Sequence, residues 1–152
     1  MNPVRPLARW WALPARDRIL FAFLLVALPL VSASLRWLGY RRTLALVEAR
    51  SEQPARRAAT PIERDQARRL ASLAALAGRR GLRATCLPQA MVLHLLLRRR
   101  GLDPQFKLGV RRAEPGPDMH AWVELDGNSL DPAPSNHVAF DAASRSADPR
   151  HG

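Results

Sequence analysis

Three side chains in this sequence could together carry out acyl chemistry: the thiol of Cys86, the imidazole of His120 and the carboxylate of Asp131. A thiolate can attack a carbonyl carbon. An imidazole can take the thiol proton and later return it to a leaving group, and a carboxylate can hold that imidazole in the productive orientation. Cys86 is the chain's single cysteine, so no internal disulfide can form and a reducing cytoplasm suits the fold. The lone thiol is either buried filler or a nucleophile.

The surroundings of Cys86 bear on that choice. Cys86-Leu87-Pro88-Gln89-Ala90-Met91-Val92-Leu93-His94-Leu95-Leu96-Leu97-Arg98-Arg99-Arg100 reads as a helix beginning at the cysteine. Pro88 suits a first turn, and Gly101 after three arginines is a stop signal. A thiol at a helix start meets unpaired backbone N–H groups and the positive end of the macrodipole, which favour the thiolate. The same N–H groups could hold an oxyanion. Gln89 is a candidate accessory donor, although it could equally face solvent. His94, inside the apolar helix, reads as a packed or hydrogen-bonded histidine.

Beyond Gly101 the apolar period changes to two. Phe106, Leu108 and Val110 predict a half-buried strand, Pro115-Gly116-Pro117 a loop, and residues 119–125 a second strand. Asp126-Gly127 then predicts a two-residue hairpin turn, with Asn128-Ser129-Leu130-Asp131 as the returning partner. In that register Leu125 faces Asn128, Val123 faces Leu130 and Trp122 faces Asp131. His120, Trp122, Glu124, Ser129 and Asp131 share one face, and Ala121, Val123, Leu125 and Leu130 share the other. Asp131 becomes the diagonal neighbour of His120. Asp126 lies about 20 Å along the strand, at roughly 3.3 Å per residue, too far to orient the imidazole. A three-residue loop without a bulge would move Asp131 to the wrong face. Trp122 either shields the histidine from water or packs beside it, and His137 suits a surface or secondary-strand role.

The elements that must support this constellation occupy the rest of a chain of 152 residues, enough for one compact core. Thr60-Pro61-Ile62-Glu63 predicts a helix start with a capping box, and Leu70, Leu73, Ala74 and Ala77 form its core face, with Gly78 as the stop. Ser51 to Ala59 reads as an exposed linker. Upstream, Ile19 to Leu35 is an apolar run flanked by arginines, with Trp10, Trp11 and Trp37 beside it. It reads as a buried or partner-facing helix pair broken or kinked at Pro29, with a membrane anchor or signal peptide as alternatives. The organisation expected is an N-terminal helical region and linker (1–59), a catalytic core (60–140) and a disordered tail (141–152). The formal charge of +11 comes almost wholly from arginine and is scattered, without the clustering or aromatic interleaving of a nucleic-acid surface. No metal-ligand cluster or phosphate-cradling loop is visible, so no cofactor is expected.

A thiol on a helix, then a histidine and an aspartate on successive strands, is the chain order of papain-like and transglutaminase-like folds. Cys86-Leu87-Pro88, Arg98-Arg99-Arg100-Gly101-Leu102, Leu108-Gly109-Val110-Arg111 and His120-Ala121-Trp122-Val123-Glu124 together resemble the leader peptidases of lasso-peptide biosynthesis. These are transglutaminase-like cysteine peptidases that remove the leader from a ribosomally made precursor before macrolactam formation. The resemblance covers about Cys86 to Asp131. It implies an α+β core, a catalytic helix packed on an antiparallel sheet, preceded by N-terminal helices. It also implies Cys86 as nucleophile, His120 as base and then acid, and Asp131 as orienting group. A separate leader-binding protein is the expected partner, docking on the N-terminal helices, followed by an asparagine-synthetase-like lactam synthetase, in the cytoplasm. The same triad would also serve a transglutaminase-like acyl transferase or amidase, and a noncatalytic basic scaffold is the alternative outside enzymology.

Overall fold

A computed structural model describes residues 14–51, 57–78, 85–112, 114, 116–131 and 138–140. Expectations for Trp10, Trp11, His137 and the 141–152 tail fall outside these residues. The fold is α+β: the described residues form three helices followed by a four-stranded antiparallel sheet.

Helix α1 runs Ala15–Arg50, and its break is at Gly39, not at Pro29. Gly39 has φ 76° and ψ 172°, a conformation open to glycine and strained for side-chain-bearing residues. Pro29 lies on the exposed side of the helix, within helical geometry. The run Ile19–Leu35 is thus one continuous helix and not the expected pair, and the chain bends only beyond it, at Gly39.

Helix α2, Pro61–Ala77, starts as its sequence predicts. Thr60 Oγ1 accepts from the Glu63 N–H at 3.3 Å, and Glu63 Oε2 accepts from the Thr60 N–H at 2.9 Å. Hydrogen bonds from Arg57 and Thr60 hold the Glu63 carboxyl well below the usual carboxylate range. Leu70, Leu73, Ala74 and Ala77 are all buried. Of the expected exposed linker 51–59, residues 52–56 lie outside the described ones; Arg57 and Ala58 are exposed, but both ends are held. Ser51 and Ala59 are buried, the Arg57 N–H donates to the Gly101 carbonyl at 3.2 Å, and the Ala59 N–H donates to Asp126 Oδ2 at 3.2 Å.

Helix α3, Cys86–Arg98, is the central element. Leu24 and Leu28 of α1 cluster with Leu73 and Ala77 of α2 and Val92 of α3. Leu93 and Leu97 of α3 join Leu70 of α2 and Ala121, Val123 and Leu125 of the sheet in a second cluster. Burying a leucine of this kind contributes about 1.5–3 kcal/mol. His94 is buried as expected, edge-on to the Phe106 ring at 6.2 Å.

The strands are β1 (Pro104–Arg111), β2 (Asp118–Leu125), β3 (Asn128–Ser129) and β4 (Val138–Phe140), in spatial order β3-β2-β1-β4. Leu125 pairs with Asn128 and Glu124 with Ser129, the register of a two-residue turn. Asp126 and Gly127 both have positive φ, 50° and 75°, as a type I′ turn requires. Phe106 and Leu108 of β1 pack on the core, whereas Val110, near the outer end of the strand, is exposed.

Candidate active site

Cys86 is the first residue of α3, and its N-cap Thr85 makes no side-chain capping bond. The N–H groups of Cys86 and Leu87 thus open the helix without a side-chain cap, and Pro88 has no N–H to satisfy. The thiol is half-buried, with Sγ 4.0 Å from the Met119 carbonyl oxygen on β2. The helix start and the strand that carries His120 are therefore in contact.

His120 Nε2 and Asp131 Oδ2 are hydrogen-bonded. The hairpin register places the carboxylate there, since the Leu130 N–H donates to the Val123 carbonyl at 2.9 Å and carries the pairing one residue beyond β3. The Asp131 N–H then donates to Ser129 Oγ at 3.1 Å, turning the chain at the carboxylate. Ser129 is a positioning residue that sequence reasoning missed. Its signal is a serine two residues before the aspartate.

Cys86, Gln89, His120, Trp122 and Asp131 all line one cavity of about 230 Å³, together with Ala121, Val123 and small side chains of α2. Ala121 and Val123 belong to one face of β2 and His120 and Trp122 to the other. The cavity is therefore lined from both faces of β2. Among the described residues, pairing on the β3 side of β2 runs from Leu125 to Val123, which accepts the Leu130 N–H.

The His120 and Trp122 rings stack, with centroids 5.9 Å apart and planes inclined by 17°. Trp122 is itself fixed: its Nε1–H donates to Glu124 Oε1 at 3.0 Å, and its ring lies over Gly109. A Cβ at Gly109 would stand 2.7 Å from Trp122 Cη2. Gly109, which pairs with His120 across the sheet, is thus the space into which the indole fits. The Trp122 ring is buried and lies against the His120 imidazole.

Gln89 follows Cys86 by one helical turn and lines the same cavity. Its amide approaches Gly78 so closely that a Cβ there would lie 2.2 Å from Nε2. Gly78 caps the C-terminal end of α2 as expected, with helical φ −61°, and its missing side chain also admits the Gln89 amide. Asp126 is occupied elsewhere, between the Ala59 N–H and Arg64 Nε at 3.5 Å. Among the described residues no group of three or more His, Cys, Asp or Glu side chains is placed to hold a metal.

The sequence profile of the transglutaminase-like superfamily matches residues 24–145. The chain belongs to the transglutaminase-like superfamily. No curated protein and no solved structure matches it. The transglutaminase-like superfamily includes cysteine peptidases. The match begins inside α1, so the superfamily's domain takes in most of the apolar helix as well as α2, α3 and the sheet.

Proposed function

We propose that this protein is a cysteine peptidase that removes the leader from a ribosomally made lasso-peptide precursor. The observation that carries the enzymatic part is the His120–Asp131 hydrogen bond beside Cys86 in one cavity. Asp131 holds Nε2, so Nδ1 is the ring nitrogen that exchanges a proton with the thiol. Cys86 Sγ gives its proton to His120 and attacks the scissile carbonyl carbon. The carbonyl oxygen becomes an oxyanion, received by the N–H groups at the start of α3 and the Gln89 amide. The tetrahedral intermediate collapses, the C–N bond breaks, and His120 returns the proton to the departing amine. Water, deprotonated by His120, then attacks the thioester, and the thiol and carboxylic acid are released.

The substrate class is supported by the resemblance of the CLP, RRRGL, LGVR and HAWVE segments to lasso-peptide leader peptidases. A separate leader-binding protein presents the precursor, and an asparagine-synthetase-like lactam synthetase consumes the product. The test is to incubate the protein with its leader-binding partner and precursor and follow leader release by mass. Release should occur with the parent chain and with Asp126→Asn, and be lost in Cys86→Ala and Asp131→Asn. Release by Cys86→Ala would refute the assignment.

A further inference from the structure

Helix α1 has two sides of different character. Leu24 and Leu28 are fully buried against α2 and α3. The outward side carries Ile19, Ala22, Phe23, Leu25, Val26, Pro29, Leu30 and Ala33, every one exposed and none polar. Exposures reach 73% at Ile19, 60% at Val26 and 63% at Leu30, where a water-facing helix would carry polar residues. The Ser32 hydroxyl is turned back onto the Leu28 carbonyl at 2.8 Å, so it makes no demand on water. From Ile19 to Ala33 this face is about 21 Å long, at 1.5 Å per residue.

The charges at its ends decide what covers it. Arg16 and Arg18 precede the face, Arg36, Arg41 and Arg42 follow it, and no carboxylate occurs between Asp17 and Glu48. A second copy docked here, parallel or antiparallel, would set arginine against arginine with nothing to offset them. An anionic bilayer surface offsets all of them at once. Trp37, 86% exposed beside Arg36, has the amphipathic ring that favours the headgroup region. At the other end a groove of about 700 Å³ is lined by Arg16, Arg69 and Arg100 together with Ile19, Leu20 and Phe23, cations beside an apolar floor. Arg69 in it also pairs with Asp17.

We infer that the outward face of α1 seats the protein in the plane of an anionic phospholipid bilayer, as a peripheral helix whose opposite side remains in the protein core. The helix is long and apolar enough to cross a membrane, but crossing would strip Leu24 and Leu28 from α2 and α3.

The test is flotation of the full chain with vesicles of equal parts phosphatidylglycerol and phosphatidylcholine, or of phosphatidylcholine alone. Flotation is expected with the anionic vesicles and not with the zwitterionic ones, and it weakens with added salt. The double variant Val26→Glu/Leu30→Glu loses at least about tenfold in vesicle affinity while keeping the parent's melting profile. Trp37→Ala loses less. The inference is overturned by no flotation, by equal flotation with both vesicles, or by flotation unchanged in the double variant. It is also overturned if the variant abolishes only self-association or capture of the leader-binding protein. Failure of leader release in the parent chain bears on the peptidase reading alone.

Discussion

The His120 imidazole lies flat on the Trp122 indole, and the indole lies over Gly109, the residue paired with His120 across the sheet. The ring that would move the proton is thus oriented from two directions, by Asp131 at Nε2 and by the indole at its face. Trp122→Phe keeps a stacking surface and should lower leader-release kcat by less than tenfold. Trp122→Ala should lower it by about a hundredfold, in the range expected when a general base loses its position. Steady-state rates on the precursor decide between these.

Gly109→Ala tests the same arrangement from beneath. The added methyl would meet Trp122 and the Val138 carbonyl oxygen, which would stand 2.8 Å from it. One of these contacts is backbone, so the sheet must shift. A destabilisation of about 1–3 kcal/mol is expected in urea unfolding, together with reduced activity. An unchanged midpoint would show that the indole does not depend on this space.

The close approach of Gln89 to Gly78 separates stability from catalysis. The obstructing group is the far end of a flexible side chain, so Gly78→Ala should displace the amide at little cost in stability. If that amide receives the oxyanion, kcat falls by about ten- to a thousandfold, the scale of losing one such donor. The double variant Gly78→Ala/Gln89→Ala should then be no slower than Gln89→Ala alone, because both remove one interaction. Additive losses would place Gly78 in some other role.

Acid should loosen the start of α2. Glu63 is held below its ordinary range by Arg57 first and by Thr60. Its folded form binds a proton more weakly than the unfolded chain, so its contribution is present above about pH 4.3, the ordinary glutamate value, and is lost as pH falls below it. Unfolding followed between pH 7 and pH 3 should show a shallower acid decline in Glu63→Gln than in the parent chain. Parallel curves would contradict the capping role.

Asp131 was legible before the fold because everything it depends on is local. The Asp126-Gly127 turn, the alternation after Met119 and the two-residue return strand fix its register within a dozen residues. The capping box at Thr60 was legible for the same reason. Contacts far apart in sequence left no such trace. Asp126 is bonded to Ala59 across 67 residues, a contact that the polar composition before α2 does not announce. Gly78 is legible as the end of α2, but not its close approach to Gln89 of the next helix. Pro29 was read as the break in α1, yet the chain bends at Gly39, where positive φ excludes helix more strictly than an exposed proline does. Alternation along β2 assigns faces, and it does not announce a cavity lined from both of them.

Because Cys86 is the sole cysteine, the rate of iodoacetamide alkylation of the native protein reads one thiol and no other. Measured near neutral pH, the rate should be fast in the parent chain, slow in His120→Ala and intermediate in Asp131→Asn, with all three equal once unfolded in urea. An inert thiol in the native parent chain, or a rate that His120→Ala leaves unchanged, would contradict a nucleophile activated by the His120–Asp131 pair.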